Sequence, residues 1–135
     1  MSRNFILAFL TLVAAGVGAF WYFGQPVPQG GPLVEVAVPA LSVAESQGEA
    51  KYTALCAKCH GANGAGQAGI APPFVHPVYE PGHHADAAFL AAALTGVRAH
   101  HWPFGDMPPV EGATEQDVRQ IVAYVRALQR ANGIR

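Results

Sequence analysis

Cys56-Ala57-Lys58-Cys59-His60 reads C-x-x-C-H, and these five residues contain both cysteines of the 135-residue chain. Two thiols three residues apart fall on one turn of backbone. From there they reach the two vinyl groups on one edge of a porphyrin, and the histidine that follows is placed to give a ring nitrogen to the iron. Half of a zinc site would need a second Cys/His pair at ligand spacing, and there is no further cysteine. A redox dithiol belongs beside a βαβ pattern, and none is visible. The pentapeptide therefore predicts one covalent haem c per chain, held by Cys56, Cys59 and His60. With both thiols committed, a structural disulfide is excluded.

An iron bound to His60 on one side takes a second ligand on the other. Met1 begins the chain, so Met107 is the available thioether, in the proline-stiffened loop Gly105-Asp-Met-Pro-Pro109 about fifty residues after the histidine. His76, His83, His84, His100 and His101 are its rivals, all in the two loops that must cover the haem. A bis-histidine iron would have the lower potential. The pairs His83-His84 and His100-His101 also raise the question of a second metal site. In an extended backbone, neighbouring side chains point to opposite faces. His100 and Trp102 would then face together, away from His101. These histidines read first as solvated or loop-packing groups; a haem-propionate contact by Arg98, His100 or Trp102 and a copper-type site are the alternatives.

Around this centre the pattern is helical. Glu45 to Cys56 reads as a helix with Ala44, Gly48, Tyr52 and Leu55 on one stripe. Gly48 costs about 1 kcal/mol there against alanine, which a close helix crossing would justify. The glycine- and proline-rich stretch 61–84 reads as loop. Asp86 is placed to cap an alanine-rich helix ending at Gly96, and Thr114 to cap a last helix from Glu115 to about Ala131. On that helix Val118, Ile121, Val122, Val125 and Leu128 recur at helical spacing, and Arg126 and Arg130 suit the negative end of its dipole.

The formal net charge of −1, without a basic run, argues against nucleic acid. Phe5 to Phe23 is an uncharged run of nineteen residues. As a helix it would rise about 28 Å, close to the ~30 Å of a bilayer's hydrocarbon. Arg3 before it and Phe20-Trp21-Tyr22-Phe23 at its end predict a retained anchor with its amino terminus inside. A cleaved signal, cut after Ala19, is the competing reading. Residues 24–44 hold four prolines and three glycines and read as a flexible linker to a domain over 45–135.

From about Gly48 to Leu128 these residues resemble the class I c-type cytochromes. Gly48 and Tyr52 stand eight and four residues before Cys56, and Ile121 to Val125 is similar to that family's last helix. Ala71-Pro-Pro-Phe74 resembles the segment whose proline carbonyl accepts the proximal histidine's N–H. That resemblance assigns the role to Pro72, with Pro73 as the alternative, and brings Phe74 next to the cofactor. Gly105 to Pro109 resembles the distal-methionine loop. The fold implied is a small all-α domain around one low-spin haem. The function implied is one-electron transfer with redox protein partners at a bacterial inner membrane, on the periplasmic side, without turnover of a small-molecule substrate. A fixed subunit of an oxidase or dehydrogenase complex, and a gas- or peroxide-binding domain with a labile distal ligand, are the alternatives. Gly82-His-His84 and His100-His-Trp102 lie outside the resemblance.

Overall fold

The computed structural model describes residues 30–135, together with residues 12, 13 and 18. The anchor expected over 5–23 lies outside the described residues apart from those three. No helix among the described residues is long and apolar enough to cross a membrane.

Four helices carry the chain from 30 onward: α1 (Val43–Leu55), α2 (Ala57–His60), α3 (Asp86–Thr95) and α4 (Glu115–Ala131), with 3-10 turns at Ala62–Gly64 and Pro77–Tyr79. There is no strand among the described residues; two isolated bridges, Gln67 with Ala71 and Val97 with Met107, tie loops together. The all-α expectation holds.

α1 begins two residues earlier than its apolar pattern indicates. The cause is a capping box: the Ser42 hydroxyl accepts from the Glu45 N–H, and the Glu45 carboxylate accepts from the Ser42 N–H. Thr114 caps α4 in the same reciprocal way with Asp117. Asp86 does not cap α3. Ala85 occupies the cap position without a side-chain bond, and Asp86 is the first helical residue. Its carboxylate accepts from Arg126 Nε at 2.8 Å instead.

The core lies where α1 crosses α4. Gly48 is the point of closest approach: a β-carbon there would stand 2.1 Å from the Gln120 carbonyl oxygen. One turn on, the Tyr52 and Tyr124 rings meet with centres 5.6 Å apart. Tyr52, Phe74, Val75, Ile121, Val125 and Leu128 complete a buried apolar cluster.

Arg126 is not at work on the helix dipole. It is buried, and its guanidinium donates to Asp86, the Tyr79 and His84 carbonyls and Gln129. It also lies 4.9 Å over the Phe89 ring. One side chain thus fastens both the 77–84 loop and α3 to α4.

The flexible linker expected over 24–44 is a bound segment from Gly30 onward. Leu33 and Val34 N–H groups share the Ala65 carbonyl, and Gly30 and Gly31 pair with Ala68. Asn132, at the end of α4, both donates to and accepts from the Ala37 backbone. Val34, Val36 and Leu41 pack on the core. Proline and glycine exclude a helix here but leave an extended chain free to pair with a loop's spare backbone groups.

Candidate functional site

Between the Cys-His turn, α3, the loop 96–110 and the inner face of α4 lies an apolar cleft of about 640 Å³. Cys56, Cys59, His60, Phe74, Trp102 and Met107 all line it.

Cys56 sits at the joint between α1 and α2, with φ −120° and ψ −35°. Its N–H still closes α1 on the Tyr52 carbonyl, while its own carbonyl accepts from Cys59 and His60, starting the next turn. This break in the helix sets both sulfurs on one turn, Cys56 half-buried and Cys59 exposed. Burial, with the Cys59 thiol beside it, pushes the Cys56 thiol up to about 11. Neither cysteine belongs to a metal-ligand group among the described residues.

His60 is 7% exposed. Its Nδ1 lies 2.9 Å from the Pro72 carbonyl oxygen, so the ring donates Nδ1–H there and keeps a lone pair on Nε2. Pro72, not Pro73, fills this role. Burial lowers the imidazole's affinity for a second proton, opposed by the Pro72 carbonyl. The Phe74 ring stacks on the imidazole with centres 4.1 Å apart and planes 21° from parallel. Phe74 thus lines the cleft and also fixes the histidine's plane.

Tyr52 plays a part the helical pattern does not reveal. Its hydroxyl donates to the Gly61 carbonyl at 2.7 Å and accepts from the Gly64 N–H at 3.1 Å. Tyr124 similarly donates to Asn63. The two tyrosines of the helix crossing thereby hold the turn that immediately follows His60.

Met107 is half-buried and held by its backbone. Its N–H and carbonyl pair with those of Val97 at 2.9 and 2.8 Å. Gly96, with φ +79°, allows the contact: a β-carbon there would stand 2.7 Å from the Met107 carbonyl oxygen. The Ala99 N–H donates to Asp106, and the Val110 N–H donates to the Ala93 carbonyl. The loop is thus pinned on both sides of the thioether.

Trp102 lines the cleft with its indole Nε1 buried and without a hydrogen-bond partner. Burial raises the Tyr79 phenol, and the neighbouring indole partly offsets this without a hydrogen bond of good geometry. A buried donor without an acceptor is costly unless a ligand supplies one. Paired thiols, a histidine with a free Nε2 and an apolar cavity together fit a haem, and the buried Trp102 N–H faces the same cleft. Of the other expected propionate contacts, His100 lines the cleft and Arg98 does not.

An all-helical fold around an apolar cleft, with a C-x-x-C-H turn in its wall, defines a small haem-carrying domain. Residues 45–129 match the profile of the family Cytochrome c, well over half of the chain. The protein belongs to the cytochrome c family, and its cofactor is covalent c-type haem used in electron transfer. No curated protein and no solved structure gives a significant match to the chain.

Proposed function

We propose that this cytochrome is a one-electron carrier whose iron is ligated by His60 and Met107. When bound, the haem supplies the ferrous–ferric couple. His60 contributes Nε2, oriented through Pro72 and Phe74. Met107 contributes its sulfur, which holds the potential above that of a bis-histidine centre. Trp102 would offer its buried N–H to a polar group of the bound haem. With His60 and Met107 both given to the iron, the chain would leave no open position for a substrate.

One observation carries this reading: His60 and Met107 line the same cleft, and each is held by backbone hydrogen bonds rather than left on a free loop. The run 5–23 anchors the domain to the inner membrane, with the haem domain on the periplasmic side, in reach of redox protein partners. A fixed place within a larger complex, or gas binding, has no comparable observation in its favour.

A redox titration of the haem-loaded chain tests the proposal. A single one-electron wave is expected, falling in Met107→Ala by a sizeable part of the ~0.8 V range that axial ligands span. A wave unchanged in the variant would remove Met107 from the iron.

A further inference from the structure

His83, His84 and His101 converge at the mouth of the cleft, although the cofactor's attachment and His60 do not need them. His83 and His84 sit on a turn, both N–H groups donating to the Glu80 carbonyl, at 3.0 and 2.8 Å. The chain there is not extended, so two consecutive imidazoles share one side, with ring centres 4.7 Å apart. His101 enters from the other loop, its ring 5.2 Å from each of them. One ring nitrogen from each of the three lies within 4.8 Å of the others.

One pair is in hydrogen-bond contact at a separation that an ion between them would also give. His83 Nε2 and His101 Nε2 are 3.3 Å apart, and two nitrogens bound tetrahedrally at about 2.0–2.1 Å from one ion stand roughly 3.3–3.4 Å apart. His84 lies 2.6 Å through Nδ1 from the Val78 carbonyl oxygen. Donation of that N–H to a backbone carbonyl is how metal-bound histidines are commonly oriented, and it leaves Nε2 free to ligate. None of the three is in an ion pair among the described residues. His83 and His101 are exposed, which gives an ion a path in from solvent.

We propose that His83, His84 and His101 bind one divalent transition-metal ion of the Zn(II)–Cu(II) class. Three imidazoles without thiolate or carboxylate select that class over magnesium or calcium. His84 and His101 also line the haem cleft, so the ion would sit at its rim. His100, with its ring centre 4.3 Å from that of His101 and its Nδ1 on the Arg98 carbonyl, stands next to the site as a further imidazole.

The test uses the haem-loaded full chain, titrated calorimetrically with Zn(II) and followed by electron paramagnetic resonance with Cu(II). One equivalent is expected, with nitrogen couplings on copper and an unchanged haem absorption spectrum. His83→Gln and His101→Gln, both exposed positions, should each weaken binding at least about tenfold, the lower end of what even an outer contact to a metal ligand contributes. Absence of a saturable equivalent, or variants that bind as the parent does, would overturn the site. So would a haem spectrum that shifts in either variant before any metal is added, because the ring would then belong to the iron.

Discussion

Gly48 lies against Gln120 so closely that no side chain fits between α1 and α4: a β-carbon would stand 2.1 Å from the Gln120 carbonyl oxygen and 3.0 Å from Tyr124 Cβ. Gly48→Ala recovers up to about 1 kcal/mol of helix propensity but forces the helices apart. A net loss of about 1–3 kcal/mol is expected from overpacking against backbone. Chemical denaturation of the haem-loaded protein measures it, and an unchanged or raised midpoint would show that the crossing yields easily.

Tyr52→Phe removes one hydroxyl that serves two backbone groups beyond His60. Leaving buried partners unsatisfied costs about 1–3 kcal/mol. Because the freed turn follows His60 directly, amide exchange should rise at Gly64 and neighbouring loop residues more than in α3. Exchange that rises equally everywhere would make the loss global rather than local.

Arg126→Met strips the Tyr79 and His84 carbonyls of a shared charged donor. Hydrogen bonds to a charged group contribute roughly 1.5–3 kcal/mol, so a loss of at least about 2 kcal/mol is expected. Asp86→Asn should cost under about 1 kcal/mol, because that carboxylate is largely in water. Equal effects would mean that the ion pair, not the carbonyls, is what Arg126 serves.

Asp117 carries a pH dependence. Hydrogen bonds from Lys51 first, then from the Thr114 hydroxyl and N–H, bring its carboxyl down to about 2, against about 3.9 in an unfolded chain. The folded value is depressed, so the contribution is complete above the unfolded value and is lost as pH falls through about 2. The melting temperatures of the parent and Asp117→Asn should therefore differ near neutrality and converge on acidification through that window. A difference that persists below it would assign the effect to helix capping alone.

The residues that name the cofactor were legible because covalent attachment demands thiols and an imidazole at fixed spacing. Gly48 was legible because its cost in a helix asks for a close neighbour. Ser42 was missed, although S-x-x-E ahead of an apolar run is the signal that would have found it; the apolar pattern alone starts the helix later. What the pattern hides is backbone pairing between distant segments. The hold of Ala65 and Ala68 on residues 30–34 uses main-chain atoms that every sequence possesses. Arg126 reads as a surface charge because its partners are mostly carbonyls of a remote loop. Extended-chain alternation does not apply to His83 and His84, because the turn bonded to the Glu80 carbonyl sets their two rings on one side.

In the proposed ligation His60 and Met107 close both faces of the iron. The most direct test is the absorption spectrum of the haem-loaded chain, oxidised and reduced, before and after carbon monoxide. A six-coordinate low-spin spectrum with the weak far-red sulfur–iron band, unmoved by carbon monoxide, is expected. Low spin without that band, a high-spin spectrum, or rapid carbon monoxide binding would contradict it.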